Sequence, residues 1–261
     1  MTGDADPPVR FVTRGAIAQI TLGRPAKRNA ITPEMASLLG AAVDRLEDDS
    51  RLRVGVLSAD GDAAFCAGAD LGYVARGDGD ALATARGGFA GFVRYPRRKP
   101  VIAAVHGYAL AGGFEIALAC DLLVADRTAR FGLPEVTRGL IAGSGLLRLA
   151  SSLPRARALD IILTGRILTA TEAAELGLVS RLVAAGDAVR EALQLAATIA
   201  ANAPTAVRES LFLANAAAAA PSAQTWALAA EMSRRLRGTA DAREGATAFL
   251  DRRDASWTNQ Q

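Results

Sequence analysis

Residues 101–135, VIAAVHGYALAGGFEIALACDLLVADRTARFGLPE, constrain the fold more tightly than any other stretch of this chain. The pattern predicts a buried strand over residues 101–105, a tight glycine-bearing turn at Gly112-Gly113, a short apolar helix, a second strand and a loop. A carboxylate stands on each side of it. Glu115 lies three residues past Gly112, and Glu135 closes the run Phe131-Gly132-Leu133-Pro134-Glu135. Folding this stretch brings two acids and a bare backbone turn together.

Gly112 and Gly113 carry no Cβ, so a ligand carbonyl can approach their amides closely, and the helix that starts there points its positive end at the same spot. That is one half of an oxyanion hole. The other half is expected from Phe65-Cys66-Ala67-Gly68-Ala69-Asp70, a bend of small residues after a strand over residues 52–58, which would present the Ala69 amide. Two backbone donors from separate turns suit a developing enolate. Taken singly, each residue has a plainer explanation. The helix dipole favours an acid in a first turn by roughly 0.3–1 kcal/mol, which would account for Glu115. A lone Glu135 would be a solvated loop acid, the glycines an ordinary strand-to-helix turn, and Ala69 nothing at all. Only the joint pattern, with the two acids twenty positions apart, points to chemistry.

The segments 65–70, 100–107 with 109–121, and 131–135 closely resemble the crotonase superfamily and, within it, the enoyl-CoA hydratases. The resemblance runs from about residue 9 to the C-terminal helices. It implies an α/β fold, a crotonase-like spiral of ββα units, with residues 1–200 as the core that carries the site and residues 201–261 as a helical trimerisation region. Position by position, Ala69 and Gly112 fall on the oxyanion-hole residues, whose amides hold a thioester oxygen, and Glu115 and Glu135 fall on the two catalytic glutamates. Ala67, Gly68, Asp70, Leu71, Gly72 and Gly113 flank the hole as substrate or coenzyme A contacts. Arg252 matches a basic position that reaches a phosphate of coenzyme A bound to a neighbouring subunit. Two positions depart from the family pattern: Ala142 stands where proline is common, and Ser233 where some relatives place an aromatic.

The resemblance further implies reversible syn addition of water to a 2-enoyl-CoA, with Glu135 as the acid and Glu115 as the water-activating partner. Coenzyme A arrives on the substrate, so no metal, flavin or nicotinamide is expected. The alternatives are another crotonase-type reaction, such as enoyl-CoA isomerisation, carnitinyl-CoA dehydration or decarboxylation, and an acyl-CoA binder with little catalysis. A homotrimer or a dimer of trimers is expected.

Other chemistries are poorly served by the sequence. Gly143-Ser144-Gly145 lacks the spacing of a nucleophile elbow and follows no clear strand, and His106 is the only histidine. That histidine reads as a hydrogen-bonded turn residue. Gly77-Asp78-Gly79 has no third glycine and no preceding strand, and no lysine follows a glycine loop in the manner of a nucleotide-binding turn. Cys66 and Cys120 show no metal-ligand spacing and read as buried free thiols. A net charge of +3 without a stripe of interleaved aromatics gives no reason to expect nucleic acid. No basic and apolar leader opens residues 1–8, and no apolar run reaches the length of a membrane span, so a cytoplasmic location is expected.

Along the rest of the chain, alternation around Arg14-Gly15 predicts a hairpin. Thr32-Pro33-Glu34 predicts a helix with Thr32 as its cap, running to about Asp48. Residues 78–95 read as a glycine-loosened helix, either a mobile wall over an acyl pocket or a poorly packed surface helix. Arg94, Arg97, Arg98 and Lys99 read as a solvated connector. Helices are expected over residues 143–152 and 154–163, with another between the Thr169 cap and Gly177. Beyond those, the chain predicts helices over 188–201, 204–219, 222–237 and 240–252. Their apolar faces, added to a sufficient core, suggest burial against a second copy.

Overall fold

The computed structural model describes residues 7–217, 224, 228, 230–233, 235 and 239–258. Two sheets organise it. β1 (Val9–Arg14) and β2 (Ile17–Leu22) form the expected antiparallel hairpin around Gly15. From β2 the pairings turn parallel through β3 (Val54–Ala59), β7 (Val101–Val105), β9 (Leu122–Asp126) and β12 (Arg181–Val183), in the order β1-β2-β3-β7-β9-β12. Successive side chains of a strand face opposite ways. One face of this sheet therefore presents Val54, Val56, Ile102, Ala104 and Val124, and the other presents Leu57, Ala103, Val105, Leu123 and Ala125. Helix α7 (Ala188–Ala200) covers the first face with a stripe of Ala188, Ala192, Ala196 and Ala200 at four-residue spacing. The second face meets the main core, which includes α1 (Pro33–Asp48), whose first turn is capped by the Thr32 hydroxyl accepting from Met35 N.

The second sheet is made of very short strands. β4 (Ala64–Cys66), β8 (Tyr108–Leu110) and β10 (Arg130–Gly132) run parallel, and β11 (Leu168–Thr169) pairs antiparallel with β10. Each of its parallel strands follows directly on a strand of the large sheet and leads to a helix. β3 and β4 lead to α2 (Leu71–Ala75), and β7 and β8 to α3 (Gly112–Ala119). β9 and β10 lead through a 3-10 turn, Pro134–Arg138, to α4 (Gly143–Ser152). This is the expected ββα repeat, and it sends the ends of β4, β8 and β10 out along one edge. Further helices with described bounds are α5 (Arg155–Thr164), α6 (Ala170–Glu175), α8 (Pro204–Ala217) and α9 (Ala240–Asp251). Thr169 and Glu172 close a reciprocal capping box on α6, as read from the sequence. The predicted helix over 222–237 falls largely outside the described residues. No helix among them is long and apolar enough to cross a membrane.

Two expectations are corrected here. Residues 78–95 do not form a helix: a 3-10 turn, Gly79–Leu82, leads into a small hairpin of β5 (Ala83–Thr84) and β6 (Gly88–Phe89). Positive φ angles at Gly88, Ala90 and Gly91 (65°, 58° and 65°) turn the chain back repeatedly, which no helix can accommodate. Ala90, Phe92 and Val93 are nonetheless buried in the main core, so the segment is packed rather than loosely attached.

The basic run at 94–99 is only half solvated. Arg94 and Arg98 are exposed, whereas Lys99 is buried. Its ammonium donates to the carbonyls of Leu46 (2.7 Å), Glu47 (3.0 Å) and Asp49 (2.9 Å), satisfying the carboxyl end of α1 where helical partners run out. Arg97 pairs with Asp121 at 3.3 Å and donates to Ala119 O at 2.6 Å. Burial pushes the Lys99 ammonium below its ordinary range, with Glu47 opposing. Lys99→Met keeps the stem but strands three carbonyls. A loss of about 3 kcal/mol is expected, read as a lower urea midpoint at unchanged slope; an unchanged midpoint would refute the capping role.

Candidate active site

The ends of the small parallel strands assemble the site. Ala69 comes three residues after β4, Gly112 two residues after β8, and Glu135 three residues after β10. Because β4 pairs with β8 and β8 with β10, all three leave the sheet from adjacent strands on one side. Phe114 of α3 stacks at 5.3 Å on Phe131 of β10, tying the helix that carries Glu115 to the strand that precedes Glu135.

The amides that should bind an oxyanion are available. The bend at Gly68 (φ 95°) is pinned by Ile31 N donating to Gly68 O (2.8 Å) and Asp70 N donating to Ile31 O (2.9 Å). The intervening Ala69 amide donates to no group among the described residues, and neither does that of Gly112 at the start of α3. The two turns abut: a Cβ at Gly68 would lie 3.0 Å from Gly112 N. Between β8 and α3, Ala111 sits at φ 52°, ψ −128°, a conformation that costs an L-residue roughly 1–3 kcal/mol. Its amide donates to Gly132 O (2.9 Å) and its carbonyl accepts from Glu115 N (3.0 Å), which holds the turn in place.

The bareness of the two glycines also serves packing within the protein. A Cβ on Gly113 would lie 1.9 Å from Cys66 O, so the small residue lets α3 lie against β4. A Cβ on Gly112 would meet the Phe89 ring at 2.4 Å. Phe89, at the end of β6, thus packs against the amide-bearing turn. No motif in the sequence marks Phe89, because its contact depends on the hairpin geometry of residues 83–89.

The two glutamates sit in contrasting surroundings. Glu115 is buried, and its Oε2 accepts from Ser144 Oγ (2.6 Å) and from Gly145 N (2.9 Å) at the start of α4. Glu135 is half-buried, with Oε2 shielded from solvent and without a hydrogen-bond partner among the described residues. Burial raises its carboxyl above the ordinary 4.5, and the charge of Glu115 pushes the same way; its own backbone amide and Arg138 oppose in part. An unsatisfied buried carboxyl beside a second acid favours the protonated form.

Other candidates are placed less centrally. Asp70 caps α2 by accepting from Gly72 N (3.1 Å) and lies 3.4 Å from Arg24, so its carboxylate is engaged within the protein. Ala67 N donates to Arg28 O, while Leu71 and Gly72 are exposed beside the Ala69 bend. Arg252 is exposed just past α9, and no described hydrogen bond or ion pair links it to the other candidates. His106 is hydrogen-bonded through its backbone just after β7, as expected: its carbonyl accepts from Phe65 N, but its Nε2 is buried without a partner among the described residues. Burial pushes the thiols of Cys66 and Cys120 up to about 12, which removes them as nucleophiles near neutral pH.

Known proteins resemble this chain over nearly its whole length. A family model described as enoyl-CoA hydratase/isomerase matches residues 13–260. A carnitinyl-CoA dehydratase from Proteus mirabilis (strain HI4320) is 36% identical over 255 residues, spanning 95% of this chain and 97% of the relative. The structure of enoyl-CoA hydratase from Mycobacterium tuberculosis H37Rv matches with a TM-score of 0.93 at 42% identity, over 98% of this chain and 100% of that one. Carnitinyl-CoA hydratase from Mycobacterium avium matches with a TM-score of 0.78 at 39% identity, over 98% and 100%.

Proposed function

The chain belongs to the enoyl-CoA hydratase/isomerase family of the crotonase superfamily, and from that premise we propose that it adds water reversibly to a 2-enoyl-CoA, giving the 3-hydroxyacyl-CoA. The observation that carries this reading is the contrast between the glutamates beside two unspent amides. Glu115 accepts two hydrogen bonds, as a water-activating carboxylate should, while burial and its neighbour's charge raise the Glu135 carboxyl above its ordinary range.

In this reading the thioester oxygen accepts from the Ala69 and Gly112 amides, each such donor being worth about 2.7–4 kcal/mol to the enolate-like transition state. Water forms the new bond to C3 as its proton passes to Glu115. The π pair of C2 and C3 moves toward the thioester and returns to take the proton of Glu135 at C2. Glu115 then carries a proton and Glu135 a charge. Return of the proton from Glu115 to Glu135 restores the resting pair, and burial of Glu135 disfavours its charged form.

A second reading, dehydration of a carnitinyl thioester, is supported by the likeness to carnitinyl-CoA dehydratase and carnitinyl-CoA hydratase. It uses the same groups in reverse. Purified protein incubated with crotonyl-CoA, a longer 2-enoyl-CoA and the trimethylammonium analogue of crotonyl-CoA separates the two by mass spectrometry. Gain of one water on the uncharged thioesters is expected. Reaction of the charged one alone would favour the second reading, and isomer formation without water gain would refute both.

A further inference from the structure

We propose that Ser144 is a positioning residue for the water-activating glutamate, fixing which oxygen of Glu115 receives the proton of water; the inference rests on the hydratase reading above. Ser144 Oγ lies 2.6 Å from Glu115 Oε2, and Gly145 N lies 2.9 Å from the same oxygen. An amide can only donate, and a hydroxyl facing a carboxylate donates as well. Oε2 is therefore an acceptor twice over, and the proton that Glu115 takes from water goes to Oε1.

The local build favours this arrangement and little else. A Cβ on Gly145 would lie 2.6 Å from Glu115 Cγ, so the missing side chain is what lets the carboxylate reach the amino end of α4. The ten-residue helix then presents an amide and a hydroxyl from consecutive positions to one oxygen. Ser144 is half-buried, and this is the one hydrogen bond described for its hydroxyl. Without it, the Gly145 amide alone would hold Glu115, and the carboxylate could turn about its terminal bond so that neither oxygen keeps station beside the water. Glu135, which has no such donor on Oε2, would be untouched.

The test compares Ser144→Ala and Ser144→Thr with the wild type in two reactions. Hydration of crotonyl-CoA needs both glutamates. Exchange of the C2 proton of butyryl-CoA in D2O, read by mass spectrometry, needs the oxyanion hole and Glu135 but no added water. Ser144→Ala should lower kcat for hydration about tenfold to a hundredfold, with KM within about twofold and the melting temperature unchanged. Its C2 exchange should stay at the wild-type rate, and Ser144→Thr, which keeps the hydroxyl, should recover most of kcat. Wild-type hydration by Ser144→Ala would overturn the inference. So would an equal loss in both reactions, or failure of Ser144→Thr to recover, since either marks general damage to the site. Wild-type protein that neither hydrates nor exchanges would overturn the hydratase reading itself, and the inference with it.

Discussion

Glu135→Gln is expected to lower turnover of crotonyl-CoA by about 10²–10⁴, the usual worth of a positioned general acid, while butyryl-CoA still binds within a few-fold of wild type. The amide fills the same space but has no proton to give to C2. The variant should also be no less stable at neutral pH, and this sign follows from the environment of the carboxyl. Burial raises its pKa above the ordinary 4.5, so the folded protein binds this proton more tightly than the unfolded chain does. Stability from this group is then present at low pH, falls as the pH climbs from the unfolded value through the folded one, and is lost above it. Glutamine carries no such penalty. As the pH rises above the ordinary carboxylate range, thermal melts should show wild type losing ground to Glu135→Gln. Unchanged turnover would make Glu135 a bystander, and a variant that loses ground to wild type as the pH rises would contradict the burial account.

Gly113→Ala is expected to be the most damaging conservative change in the site. The added methyl would sit 1.9 Å from Cys66 O and 2.6 Å from Cys66 C, both main-chain atoms of β4, so no rotamer change relieves it. Either α3 lifts or β4 shifts. The strain should cost at least about 3 kcal/mol, at the upper end for overpacking. Because β4 leads to the Ala69 amide and α3 begins at the Gly112 amide, either movement also spreads the two donors. A misplacement of about 1 Å at such a site costs on the order of 10²-fold in rate. Gly112→Ala provides the contrast, since the nearest neighbours of its methyl are side-chain atoms of the Phe89 ring rather than main chain. Melting temperature and kcat measured on both variants should rank Gly113→Ala well below Gly112→Ala, and the reverse order would show that the close approach of helix and strand is not what the glycine serves.

Much of the frame around this site was legible in the sequence. The Thr32 cap, the hairpin at Gly15 and the Thr169 capping box are short-range signals, and each appears where its residues place it. The two acids and the glycine turn were legible for the same reason, being bunched within one stretch of chain. The small sheet was not. β4, β8 and β10 have three residues each, too few for alternation to register, although they set the position of every chemical group. The environments of the acids were also hidden. That Ser144 touches Glu115 across 29 positions, and that Glu135 Oε2 has no partner, depend on how distant elements stack. Lys99 shows the opposite error. Its neighbours in sequence suggested solvent, while its neighbours in space are the last carbonyls of a helix.

The short parallel strands carry one last consequence. Their backbone hydrogen bonds hold adjacent strands about 4.8 Å apart whatever side chains they bear, and each reactive group is among the first few residues beyond its own strand. The small sheet therefore works as a comb whose teeth keep their pitch when a tip is exchanged. In the proposed reading, exchanging Glu135 beyond the β10 tooth changes the acid, while the Ala69 and Gly112 amides, carried beyond the β4 and β8 teeth, keep their places.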